Sequence, residues 1–237
     1  MAKRILAFSS SRAGTSGYLE TALSLIKNFL GDKLLQIAFI PFASVDNNYE
    51  GYAENVRTAL QSLPHTITAL NHENAKKGIE QSDVIMVGGG NTFKLLHDIY
   101  EANILDSIRN KVSSGTPYIG WSAGSNILCP TIGTTNDMPI IEPKSFNALG
   151  LLPFQINPHY TNQKHAGHNG ETREQRLEEF MKMNPGISVA GLPEGTTLHL
   201  DGEVLQFIGA FKGVLLQADD NIIRREIADG QDLSFLL

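Results

Sequence analysis

Pro117-Tyr118-Ile119-Gly120-Trp121-Ser122-Ala123-Gly124-Ser125-Asn126-Ile127-Leu128 joins a short apolar run to a helical one through Gly-Trp-Ser-Ala-Gly. Residues 117–120 read as a strand that starts just after Gly115, and 123–128 as the helix that follows it. Upstream, Val84 to Val87 repeats the pattern: a strand runs into Gly88-Gly89-Gly90-Asn91-Thr92 and then into helical spacing. Further strands are expected at Ile5 to Phe8, Ile37 to Ile40 and Thr66 to Leu70. Helices are expected over Tyr18 to Leu30, over the stretch carrying Tyr52, Val56, Leu60 and Leu63, and as two helices between Asn91 and Ser114 broken near Ala102-Asn103. Such alternation favours an α/β fold, a largely parallel sheet with helices on both faces. The last third changes character. Thr196 to Ile208 reads as a hairpin turning at Asp201-Gly202, with a strand near Val214 to Gln217 beyond it, which predicts an antiparallel extension of one mixed sheet. With no repeat, linker or low-complexity tract, residues 1–237 are expected to form a single domain. Thr131 to Gly170, rich in Pro, Asn, Gly and His, lacks periodicity and reads as functional loop.

The bulk composition excludes several classes. Hydrophobic residues make up 41% and charged residues 19% of the chain, as in ordinary globular proteins. A net charge of −6 argues against nucleic acid or an anionic membrane surface as partner, since either calls for a basic patch. No run of about 18 apolar residues suggests a membrane span. The opening Met1-Ala2-Lys3-Arg4-Ile5-Leu6-Ala7-Phe8 stops at Ser9-Ser10-Ser11, too early for a signal peptide, so a cytoplasmic protein is expected. The only cysteine, Cys129 in Ile-Leu-Cys-Pro, cannot form an internal disulfide and reads as a small buried apolar residue.

Chemistry concentrates at the two glycine-bearing turns. In a strand–turn–helix context, Gly-x-Ser-x-Gly lifts the Ser122 hydroxyl above the strand end, near the positive end of the next helix, where it can act as a nucleophile. The triple glycine at 88–90 lacks both the Lys-Ser/Thr ending of a phosphate loop and the spacing of a dinucleotide fingerprint. Beside a nucleophilic serine it suits an oxyanion hole, with one N–H from Gly90 or Gly89 and the other from Ala123. A serine needs a base, and there are seven histidines. His65, His97 and His199 fall in expected regular elements, and His72 carries no catalytic cue. His159, in Ile156-Asn157-Pro158-His159-Tyr160, follows a strand-like run, while His165 and His168 share its irregular segment. Three such histidines could suggest zinc, but His-Glu-x-x-His is absent and no carboxylate has ligand spacing. No metal or other cofactor is expected.

Five blocks together carry a resemblance: Gly88-Gly89-Gly90-Asn91-Thr92, Gly120-Trp121-Ser122-Ala123-Gly124-Ser125-Asn126, Asn136-Asp137-Met138-Pro139, Asn157-Pro158-His159-Tyr160 and Gly167-His168-Asn169-Gly170-Glu171-Thr172-Arg173. In order and spacing they resemble the peptidase E family of bacterial α-aspartyl dipeptidases. Ala43 to Tyr52 and the C-terminal tail are less typical of it. The resemblance implies a flavodoxin-like relative of the class I glutamine amidotransferases, acting on small peptides with a free N-terminal aspartate, as a monomer or small homo-oligomer. It implies Ser122 as nucleophile, His159 as base and Arg173 as the cation for the aspartyl side chain. Residues 171–176 alone would read as a charged helix face. For the acid the resemblance supports either Asp137 or Glu194. Chain order favours Asp137, between Ser122 and His159, whereas Glu194 sits in a tight Pro-Glu-Gly turn after Ser188 to Ala190. Three rival readings are an α/β-hydrolase esterase, a cyanophycin-type peptidase and a non-enzymatic binding module of the same fold. Ser122 and His159 are only 37 positions apart, too close for the strands and cap of an α/β-hydrolase.

Overall fold

Strands β1 (Arg4–Phe8), β2 (Gln36–Ile40), β3 (Thr66–Ala69), β4 (Val84–Val87) and β5 (Tyr118–Trp121) pair in parallel in the order β3-β2-β4-β5-β1. The computed structural model describes residues 2–163, 167, 169–218 and 221–237. Alternate residues of these strands enter opposite cores. Ile5, Ala7, Ala38, Ile40, Ile85 and Val87 face one side, and Leu6, Phe8, Ile37, Phe39, Val84 and Met86 the other. Burial on both faces is why the strands read as unbroken apolar runs rather than as alternating ones. On one side lie α1 (Leu23–Leu30) and α2 (Tyr49–Ala59). On the other lie α3 (Ala75–Gln81), α4 (Thr92–Glu101) and α5 (Leu105–Ser113). Counted from β2, the strand order is the flavodoxin-like 2-1-3-4-5, with β1 in the fifth place.

After β5 come the short α6 (Ala123–Asn126), then β6 (Gln155–Asn157), α7 (Arg173–Met183) and β7 (Val189–Gly191). The hairpin of β8 (Thr196–Asp201) and β9 (Val204–Gly209) adds antiparallel to β1, as the Asp201-Gly202 turn predicts. The following strand departs from expectation. β10 (Gly213–Ala218) does not extend the main sheet but joins β11 (Ile222–Ile227), β7 and β6 in a second, four-stranded sheet. One face of this sheet contributes Ile156, Ala190, Leu215 and Ile227 to a core shared with the main sheet. The other packs Val189, Val214 and Leu216 against Leu177 and Met181 of α7.

One further expectation is corrected, and one helix lies outside the sequence reading. The helix read from Tyr18 starts only at Leu23, because Leu19 adopts φ 55°, a left-handed conformation that interrupts a helix. Leu19 is nonetheless fully buried, and its N–H donates to the Ser11 carbonyl. Conversely, α3 carried too little signal to be read, since only Ala75 and Ile79 of its seven residues are buried.

Candidate active site

The strand order reverses between β2 and β4, which is where open α/β sheets place their ligand crevice. A hollow of about 600 Å³ lies there, bordered by Ala43 to Asp46 after β2 and by Gly89 to Asn91 after β4. Ser122 stands at the end of the neighbouring β5 with φ 53° and ψ −114°, a strained conformation anchored by its N–H donating to the Phe8 carbonyl at 3.1 Å. The turn into α6 is tight: a Cβ on Gly124 would collide with the Val87 carbonyl, so the elbow can close against β4 only with glycine there.

The imidazole of His159 bridges two groups. Its Nε2 lies 2.9 Å from the Ser122 hydroxyl and its Nδ1 lies 2.8 Å from Glu194 Oε1. His159 follows β6 with φ 51°, held by its own N–H donating to Ser9 Oγ at 2.9 Å. Ser9 Oγ in turn donates to the Leu192 carbonyl, and Ser10 Oγ accepts from the Gly195 N–H at 3.3 Å. The two serines after β1 thus tie the histidine loop and the Glu194 turn together. They went unread as site residues, although their place at the carboxyl end of a parallel strand was a usable signal. Tyr52, read only as an apolar helix position, is similar. Its hydroxyl donates to the Gly89 carbonyl at 2.9 Å and accepts from Trp121 Nε1 at 3.2 Å, clamping the glycine loop to the elbow.

The preference for Asp137 over Glu194 as the carboxylate behind His159 does not match the geometry. Asp137 Oδ2 accepts from the Thr92 N–H at 2.7 Å, from Thr92 Oγ1 at 2.6 Å and from Thr135 Oγ1 at 3.2 Å. Its loop crosses toward α4, while Glu194 is delivered to Nδ1 by the turn after β7. Gly90 has φ 137°, and a Cβ there would strike the Ala43 carbonyl, so its position demands glycine. Among the described residues no acceptor takes the N–H of Gly89, Gly90 or Ala123, which leaves these donors available beside Ser122.

Arg173 opens α7 behind the capping box formed by Thr172 and Gln175. It is half-buried, and its Nη1 approaches the His159 carbonyl at 3.5 Å. Burial, with the nearby Arg176 guanidinium, lowers its pKa. Among the described residues no carboxylate pairs with it. His165 and His168 lie outside the described residues. His199 is half-buried edge-on to Phe29, and His65, His72 and His97 lie apart from Ser122. A separate hollow of about 510 Å³ holds the ion pair of Lys94 and Asp98 and contains none of the Ser122, His159 and Glu194 side chains. Cys129 is fully buried, its thiol pushed up to about 12 by desolvation. Among the described residues no group of three His, Cys, Asp or Glu side chains could hold a metal ion, and no helix is long and apolar enough to cross a membrane.

The largely parallel sheet, the serine on a strained strand-to-helix turn and the histidine linking it to a carboxylate define an α/β protein of hydrolase-like architecture. The model of peptidase family S51 matches residues 5–208, so the chain belongs to that family and is a peptidase. The chain is 50% identical to "Peptidase E" of Nostoc sp. (strain PCC 7120 / SAG 25.82 / UTEX 2576), covering 100% of this chain and 98% of the relative. It is 46% identical to "Peptidase E" of Shewanella amazonensis (strain ATCC BAA-1098 / SB2B), covering 99% of each. The fold is shared with the crystal structure of a putative peptidase E protein from Listeria monocytogenes EGD-e, at TM-score 0.69 and 22% identity over 89% of this chain and 100% of that one. It is shared also with a peptidase from an acI-B1 Actinobacterium, at TM-score 0.68 and 17% identity over 99% and 98%.

Proposed function

We propose that the protein is a serine dipeptidase that releases an N-terminal aspartate from small peptides in the cytoplasm through an acyl-enzyme on Ser122. The observation that carries this reading is the hydrogen-bonded line Ser122–His159–Glu194, with the guanidinium of Arg173, which no carboxylate among the described residues pairs, beside His159. His159 Nε2 takes the Ser122 proton as Oγ attacks the α-carbonyl of the N-terminal aspartate. Glu194 holds the ring with its other proton on Nδ1 and stabilises the imidazolium. The oxyanion is received by the N–H groups of Gly90 and Ala123, each donor worth roughly 3–4 kcal/mol. The imidazolium then protonates the leaving amine, and water clears the ester. Arg173 presents a planar fork that a β-carboxylate meets with two hydrogen bonds, which selects aspartate over neutral side chains. The relatives named peptidase E support hydrolysis of peptide bonds. The test is hydrolysis of Asp-Leu beside Leu-Leu and a simple ester. Cleavage of Asp-Leu alone, abolished by Ser122→Ala, supports the reading, and persistence above about a tenth of the wild-type rate in that variant refutes it.

A further inference from the structure

We infer that Asp137 binds the free α-ammonium of the substrate, an inference that rests on Ser122 being the nucleophile of an aspartyl dipeptidase. The carboxylate is displaced from the histidine, yet it is elaborately held. Three donors converge on one oxygen, Oδ2, while Oδ1 accepts nothing from the described residues. Capping α4 does not account for the arrangement, because Asn91 already fills that role with its side chain accepting from the Lys94 N–H. Asp137 reaches the helix from a loop 45 positions away and is half-buried.

Its neighbours place it against the reacting carbonyl. On one side it binds Thr92, two residues past Gly90, so its carboxylate lies within about 10 Å of the Gly90 N–H by chain geometry alone. A carbonyl hydrogen-bonded to Gly90, the α-ammonium of the same residue and a carboxylate bonded to that ammonium together span about 9 Å. On the other side the adjacent Asn136 donates to the Pro158 carbonyl at 2.7 Å and accepts from Asn157 Nδ2, next to His159. Asp137 therefore bridges the oxyanion loop and the histidine loop. The other carboxylates nearby are engaged or exposed. Glu194 faces His159, Glu174 is shared by Tyr160 and Arg224, and Asp46 lies open to solvent at the crevice edge. A half-buried carboxylate attracts an ammonium more strongly than an exposed one, since the local dielectric is lower. Arg173 and Asp137 then read the two charges of an N-terminal aspartate separately, and the distance from amine to scissile bond restricts cleavage to the first peptide bond.

The experiment compares aspartyl p-nitroanilide with its N-acetyl derivative in the wild type and in Asp137→Asn. The amide oxygen of asparagine can still accept from Thr92, so the loop keeps its anchor while the charge is lost. The wild type should prefer the free amine by roughly 100-fold or more, the scale of hydrogen bonds between charged groups. In Asp137→Asn the preference should collapse at least about tenfold, through a raised KM for the free-amine substrate rather than a lowered kcat. A merely structural role would lower both substrates by one factor, and that result, or a wild type indifferent to acetylation, overturns the assignment. A wild type that cleaves neither substrate overturns the aspartyl dipeptidase reading along with it.

Discussion

Glu194→Gln tests the catalytic geometry most directly, because it removes one charge and keeps the length of the side chain. Glu194 Oε1 lies 2.8 Å from His159 Nδ1, with side-chain exposures of 54% and 40%. At charge centres about 4 Å apart, an effective dielectric near 20 gives about 4 kcal/mol and bulk water about 1 kcal/mol. A half-exposed pair falls between, at about 2 kcal/mol for the imidazolium that forms as Ser122 loses its proton. At 1.36 kcal/mol per factor of ten, that alone is roughly 30-fold in kcat. The amide adds a second loss. By offering its N–H to Nδ1 it favours the tautomer with the proton on Nε2, which cannot accept from serine, and for a buried triad acid this costs about 10⁴-fold. Partial exposure here lets the ring escape into the productive tautomer, so we expect a fall of roughly 10²–10³-fold in kcat with little change in KM. Leucine release from saturating Asp-Leu measures it, with the rate of fluorophosphonate labelling of Ser122 as a second readout. A kcat within about threefold of wild type refutes the role of Glu194. A loss of that size in kcat for Asp137→Asn instead returns the acid to Asp137.

Arg173→Ala should lower kcat/KM for Asp-Leu roughly 100-fold, far more than it slows acylation by a small activated ester whose leaving group needs no protonation, and Arg173→Lys should recover little because an ammonium lacks the two-bond fork. Equal losses on both substrates would mean that Arg173 holds its loop instead. Gly90→Ala should lower both melting temperature and kcat: φ 137° costs a non-glycine residue about 1–3 kcal/mol, and the Ala43 carbonyl blocks the added Cβ. Wild-type activity and melting temperature in that variant would refute the requirement for glycine at this position. Burial lowers the pKa of both His199 and His65 from 6.5. The unfolded chain therefore binds protons that the folded chain refuses, so the stability these groups contribute is present above 6.5 and lost as pH falls through the folded values. His199→Gln should flatten the fall in urea midpoint between about pH 7 and 5, and an unchanged slope would refute the contribution of this residue.

The parallel core was legible because each of its strands is buried on both faces and so appears as an apolar run between turn residues. The second sheet was not, for reasons of length and exposure. β6 and β7 have three residues each, too few for any period to register. β11, Ile222 to Ile227, shows exposed charges at Arg224, Arg225 and Glu226 and, among the described residues, pairs only with β10. At the site, Ser122 could be found from local context, since the elbow is written in consecutive residues. The acid could not. Asp137 and Glu194 both sit in turns, and their allocation depends on how β7 brings residue 194 to a histidine 35 positions away, a tertiary fact with no local trace.

The two residues that would carry the proton transfer, Ser122 and His159, both have positive φ, a conformation that costs a side-chain-bearing residue free energy. Each is held by the frame of the main sheet: Ser122 through the Phe8 carbonyl, and His159 through Ser9 on the next residue of the same strand end. The strain is thus offset by β1, which is paired on both sides by β5 and β8. The charges proposed to face the substrate are mounted differently. Arg173 belongs to α7 and Asp137 to the loop before β6, and neither is hydrogen-bonded to Ser122 or to the imidazole of His159. Substitutions at those two positions should therefore change which peptide is accepted while leaving the distances of 2.9 and 2.8 Å along Ser122, His159 and Glu194 intact. Loss of the Ser9 hydroxyl should do the reverse, since it releases the backbone of His159. Ser9→Ala should thus lower kcat for every substrate by a similar factor. A loss confined to aspartyl peptides would show that β1 supports specificity rather than chemistry.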